Sequence, residues 1–205
     1  MEPPFPSGAE PGLPGTPHLC LLACSPHPGG SSDAAAAIVE QTLAAHGVSV
    51  DAVRLHEQRI RPCVGCGHCT THPGHCVFDG DDATLLFRRM DRADSLILTL
   101  PVYFYGPPAL LKGFIDRAQI FWTMPPKRPF RPAYAVICAA RTRGERLFEA
   151  NLLILRCFLN TLGFELRDPL LLRGVEGPAD LSPIRAQLQQ LGSQAAEQAL
   201  RQHHD

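Results

Sequence analysis

The chain has no surplus of basic residues, almost no lysine and no long apolar run. Its formal net charge is −1, with Lys112 and Lys127 as its only lysines against seventeen arginines. A general nucleic-acid binder carries a basic surplus to neutralise phosphates, so this balance argues against that class. No stretch approaches the ~18 apolar residues that span a bilayer, which argues against a membrane protein. Lys and Arg are also absent before Arg54. A secretory signal opens on a positive region followed by ~7–15 apolar residues, and the run Leu19–Cys24 has neither the charge nor the length. Neither G-x-x-x-x-G-K-[ST] nor G-x-G-x-x-G occurs, so neither a P-loop nor a tightly held dinucleotide of the Rossmann kind is indicated. Eight cysteines in 205 residues fall below the ~8–10% of a disulfide scaffold.

The chain does have enough apolar residues for a core, 45% against 19% charged. Half of its cysteines sit between Cys63 and Cys76. That clustering points to a metal or redox site in a reducing compartment, hence a cytoplasmic protein. Residues 1–17, rich in proline and glycine, read as a disordered leader, and 18–205 as one domain with a cysteine loop at 63–76 inserted in it.

Five apolar runs alternate with helical patterns. The runs are Leu19–Cys24, Val48–Leu55, Ser95–Leu100, Tyr134–Cys138 and Glu165–Leu172, the last interrupted by Pro169. Continuous apolar strands suit a parallel sheet buried on both faces. Helices are predicted over 33–46, 82–90, from Pro107 or Pro108 to about Trp122, over 145–162 and over 180–202. Asp79, Asp81 and Asp82 lie where the positive end of the second helix favours them. The pattern predicts an α/β, doubly wound, five-stranded parallel sheet with helices on both faces.

Three segments carry chemistry. The loop Ser25-Pro26-His27-Pro28-Gly29-Gly30-Ser31-Ser32 joins the first strand to the first helix. Small hydroxyl residues, glycines and a helix N-terminus make a phosphate cradle; the plainer reading is a turn with a Ser cap. Cys63-x2-Cys66-x2-Cys69-x6-Cys76 has a spacing that can wrap a [4Fe–4S] cubane. Zinc sites more often use two pairs ~12–20 residues apart, though His68, His72 and His75 could complete one; free or redox-active thiols are the third reading. The remaining cysteines, Cys20, Cys24, Cys138 and Cys157, read as buried inert thiols. Pro101-Val102-Tyr103-Phe104-Tyr105-Gly106 follows the third strand, and its aromatics can either flank a flat ring or only close the core.

Together these segments resemble the iron–sulfur flavoproteins, a group within the flavodoxin-like NAD(P)H-dependent FMN reductases. The family's S-P-R-x-x-G-N-T is matched by Ser25, Pro26, Gly30, Ser31 and Ser32, with His27 in place of Arg. Its P-V-Y-[FW]-x-G followed by L-K-x-F-I-D-R is matched by Pro101 to Gly106 and Leu111 to Arg117. The resemblance covers about residues 18–175. It implies FMN, with its phosphate at Ser25, His27, Gly30, Ser31 and Ser32 and its ring against Pro101, Val102, Tyr103, Phe104, Tyr105 and Gly106. It also implies a third flavin loop, Ala139 to Gly144, where Arg141 or Arg143 replaces glycine and can meet an anion. The cysteine motif matches the family variant holding a [4Fe–4S] cluster on Cys63, Cys66, Cys69 and Cys76. A homodimer or homotetramer follows, in which the cysteine loop reaches a neighbouring flavin, with Phe121 and Trp122 as interface or lid residues or as core. The implied activity is electron transfer between a donor, FMN and the cluster, with NAD(P)H bound only transiently or ferredoxin as donor. The alternatives are an FMN or quinone reductase without a cluster, and a flavin-based redox sensor.

Overall fold

The computed structural model describes residues 16–124, 126 and 128–204. Residues 1–15 of the expected leader lie outside them. Five sheet positions run in the order β2-β1-β3-β4-β5, all parallel. The strands are β1 (His18–Ala23), β2 (Ser49–Arg54), β3 (Ser95–Pro101), β4 (Arg131–Ala139), β5 (Phe164–Leu166) and β6 (Leu170–Arg173). This is the doubly wound, flavodoxin-like order. The fifth position is shared by two short strands, since β5 and β6 both pair with β4. The break falls at Pro169, which has no N–H to give the ladder.

The helices are α1 (Ser31–Ala45), α2 (His68–Thr71), α3 (Asp82–Arg92), α4 (Ala109–Arg117), α5 (Glu149–Thr161) and α6 (Arg185–His204). Successive residues of β1 point to opposite faces. Cys20, Leu22 and Cys24 join a core with Phe87 of α3, Phe114 of α4 and Phe158 of α5. Leu19, Leu21 and Ala23 join the other core, with Val39 of α1 and Leu188 of α6. Helices therefore cover both faces, which explains why β1 reads as an unbroken apolar run. Among the described residues no helix is long and apolar enough to cross a membrane.

Several boundaries differ from the sequence reading. β4 starts three residues early, because Arg131 lies over the Phe164 ring at 3.9 Å and donates to the Asp91 and Ala93 carbonyls. α4 ends at Arg117 and tightens into a 3-10 turn over Ala118–Phe121, where the Ile120 carbonyl accepts from Gly74 of the cysteine loop. α5 begins at Glu149 rather than near 145; the preceding turn is anchored by buried Leu147 and Phe148 and by Arg173 donating to the Gly144 carbonyl. The last helix is preceded by a 3-10 segment, Pro178–Ile184, with Pro183 inside it.

Candidate functional site

The loops after β1, β2, β3 and β4 all emerge at the carboxyl edge of the sheet. From β1 the chain moves first to β2 on one side and then to β3 on the other. The switch point therefore lies between the loops after β1 and β3, where ligands of such sheets bind.

The first loop is a tight turn held by its own groups. Ser25 is buried, its hydroxyl donates to the His27 carbonyl, and the His27 N–H returns to Ser25 Oγ at 3.0 Å. Gly30 is the N-cap of α1 and supplies no side-chain cap. The first-turn N–H groups of an α-helix have no partner within the helix, so those from Ser31 onward face the loop free of a cap. A Cβ on Gly30 would meet the His27 carbonyl at 3.2 Å, so the turn is closed to larger side chains. Asp33 shares this helix end; it accepts from the Gly29 N–H and pairs with Arg54 at 3.1 Å, which offsets its charge beside an anion. The open N–H groups fit a phosphate.

Tyr103 and Gly106 exchange two backbone hydrogen bonds, both 2.9 Å, across a two-residue turn. Phe104 and Tyr105 at its tip have φ of 46° and 65°. A type I′ turn needs positive φ at both central residues and normally takes Asn or Gly there. Two aromatics in these wells are strained, and such strain gathers at ligand sites. Phe104 has its whole side chain in solvent, and Tyr103 and Tyr105 are exposed. The aromatics therefore do not close the core. Buried Asn151 of α5 donates to the Tyr105 carbonyl at 3.3 Å and fixes the turn from below. Its Oδ1 is buried without a partner, as is Thr99 Oγ of β3.

The third loop lies against the second. Arg141 donates to the Tyr105 hydroxyl at 2.7 Å, and Arg173 ties the loop through the Gly144 carbonyl. The structure thus brings Arg141 beside the aromatic turn, although its loop has lost most of the glycines.

Cys63, Cys66, Cys69 and Cys76 all line one cavity of about 220 Å³, with Asp116, Arg117, Gln119 and Ile120 on its α4 side. Gly65 and Gly67 have φ of 65° and 73°, which lets the chain reverse between thiols. None of the four cysteines is in a disulfide, and Cys63 and Cys66 are exposed. Among the described residues no three His, Cys, Asp or Glu side chains converge tightly enough for a single ion. Four thiols around one cavity are a donor set that zinc sites and iron–sulfur clusters both use. Of the histidines, His68 lines the cavity and stacks on His72 with centroids 4.3 Å apart, and His75 faces Asp79 at 3.4 Å.

The loop is stapled where it leaves and rejoins the fold. Arg117 is 2% exposed. One of its terminal nitrogens donates to the Arg61 carbonyl and to Asp81, and the other to the Phe78 carbonyl. Asp81 also accepts from the Arg61 N–H and caps α3 through the Ala83 N–H. Asp79 accepts from the Cys76 N–H. Burial pulls the Arg117 pKa down, but Asp81, together with Cys76, more than offsets it and leaves it raised. The acidic patch thus organises the loop as well as the helix end. The sequence reading missed Arg117 and Asn151 as site residues. The L-K-x-F-I-D-R match contained Arg117, but a buried Arg has no sequence signature separate from an exposed one.

Of the remaining cysteines, Cys20, Cys24 and Cys138 are buried, and burial raises all three thiols, Cys138 to about 12. Cys157 is exposed, against expectation, because α5 turns it away from the core into a cavity of about 240 Å³ lined also by Trp122 and Leu153. Phe121 packs edge-on to Phe87, whereas Trp122 is exposed.

The family model for NADPH-dependent FMN reductase matches residues 17–162. The chain is similar to an iron–sulfur flavoprotein of Methanocaldococcus jannaschii, 33% identical over 98 residues, 48% of this chain and 50% of that protein. The matched stretch thus spans about half the length of that relative. In structure the chain is similar to an NAD(P)H:quinone oxidoreductase from Methanothermobacter marburgensis, with a TM-score of 0.67 and 19% identity over 88% of this chain and 96% of the other. It is also similar to a flavodoxin from the Archaea, with a TM-score of 0.58 and 15% identity over 89% and 98%. At these identities the structural likeness shows the fold.

Proposed function

Because the chain belongs to the NADPH-dependent FMN reductase family, we propose that it is an FMN-dependent oxidoreductase that holds a [4Fe–4S] cluster on Cys63, Cys66, Cys69 and Cys76. The observation that carries the cluster is the one cavity those four thiols share between the loop that follows β2 and the end of α4. Three relatives named iron–sulfur flavoprotein support it.

When bound, FMN takes up a hydride or two electrons and a cubane passes one at a time, so the pair converts between the two kinds of transfer. In our reading, the N–H groups of Ser31 and Ser32, with Ser25 and Gly30 shaping the turn, bind the flavin phosphate. His27 lies at the rim of that turn. Pro101, Val102, Tyr103, Phe104, Tyr105 and Gly106 form the platform for the ring. Arg141, fixed on the Tyr105 hydroxyl, supplies a positive charge beside it. α4 links the two places: it starts just after the aromatic turn and its end lines the cysteine cavity. Nine residues of helix span about 13 Å. Electrons come from NAD(P)H bound transiently above the ring or from a reduced ferredoxin. The chain works as a homodimer or homotetramer in a reducing, cytoplasmic setting, and exposed Trp122 and Leu153 are the apolar residues offered for contact between copies.

Two variants test the assignment. Gly30→Val fills the phosphate turn and is expected to abolish FMN retention while leaving iron content unchanged. Cys66→Ser is expected to do the reverse. Loss of both cofactors, or of neither, in either variant would contradict the separate sites proposed. FMN without iron in the wild type would leave a flavin or quinone reductase.

A further inference from the structure

We propose that Arg117 is the positioning residue of the cysteine cavity and that its unpaired Nε–H donates to the sulfur of Cys76 when a cluster is bound. The inference rests on the cluster reading above and concerns what the protein does to that cluster.

The guanidinium spans the loop's two ends. Through Arg61 it holds the chain two residues before Cys63, and through Phe78 two residues after Cys76. Asp81, its ion-pair partner, is itself bonded to the Arg61 N–H, so the staple closes on itself. The Phe78 ring is covered by Arg61 at 4.0 Å on the same side chain cluster. These contacts engage both terminal nitrogens. Nε is left buried with no partner. A buried, unmet donor is costly, and its side chain lines the same cavity as the four thiols. Cys76 is one of the residues that line this cavity with Arg117. A thiolate ligand is therefore the acceptor that completes the arginine.

Hydrogen bonds to cluster sulfurs and nearby positive charge favour the more negative, reduced state and raise the potential. A residue that only stabilises the fold would leave the potential alone. The test uses wild type, Arg117→Lys and the neutral pair Asp81→Asn/Arg117→Met. Each is prepared without oxygen, supplied with ferrous iron and sulfide, and titrated with dithionite while the cluster is followed by electron paramagnetic resonance. The flavin potential is the internal control.

In the neutral pair the reduced-to-oxidised ratio at the wild-type midpoint is expected to fall about tenfold, which is 59 mV for one electron. Arg117→Lys should shift it in the same direction but less, and the flavin potential should not move. A flavin-loaded variant that takes up no iron also supports the positioning role. Arg117→Lys keeps the buried charge pair, so the test stands even if the neutral pair misfolds. Loaded variants with an unchanged cluster potential overturn the proposal alone. Wild type that takes up no iron or sulfide overturns the cluster reading, and the proposal with it.

Discussion

Phe104→Asn should make the protein more stable and a poorer flavin binder at once. Phe104 sits at φ 46° with its side chain in solvent, so it costs backbone energy and contributes no burial. A left-handed L-residue costs about 1–2 kcal/mol, and Asn bears that conformation more readily. The Tyr103–Gly106 hydrogen bonds that define the turn come from the backbone and survive the change. The expected gain is about 1 kcal/mol, which for a domain of this size is ~2–4 °C in Tm. Flavin binding moves the other way. An aromatic contact is worth about 0.5–1.5 kcal/mol beyond its area, and 1.4 kcal/mol is tenfold in Kd. Thermal unfolding of the FMN-free protein by circular dichroism and titration of FMN by its fluorescence read the two effects separately. An unchanged Tm would refute the strain. An unchanged Kd would refute the turn as a flavin platform.

Asp81→Asn leaves the Arg117 charge buried without its partner and should cost about 3–5 kcal/mol, read by denaturant unfolding; a loss below ~1 kcal/mol would mean that water reaches the pair. Phe114→Ala removes a fully buried ring stacked on Phe87 at 4.5 Å and should cost about 3–5 kcal/mol, with unchanged stability contradicting the packing described. A maleimide should modify Cys63, Cys66, Cys69, Cys76 and Cys157 in the cluster-free native protein. It should spare Cys20, Cys24 and Cys138, whose thiols burial raises, Cys138 to about 12. Loading iron and sulfide should then leave Cys157 as the reactive thiol, and continued labelling of the other four after loading would count against them as ligands.

The centre of the sheet was legible because burial on both faces writes β1, β3 and most of β4 as apolar runs. Leu19–Cys24 gave β1 nearly to the residue, and Pro169 marked the break between β5 and β6. Boundaries failed where side chains far apart in sequence decide them. Arg131 and Pro132 are poor strand formers, yet they extend β4 because Arg131 is satisfied by carbonyls at the C-terminal end of α3. The four cysteines and three flavin-type loops stood out by spacing and by motif, and the structure sets those loops along one edge of the sheet. Arg117 and Asn151 were hidden because their importance lies in the backbone carbonyls they reach, 39 and 56 positions away for Arg117. Cys157 was misjudged because an apolar helix pattern says little about which flank faces outward.

The most direct test is cofactor content after purification without oxygen, with the absorption spectrum measured beside it. A bound FMN with about four irons and four sulfides per chain is the expected result. No flavin at saturating FMN would contradict the assignment of both binding loops and of the function built on them.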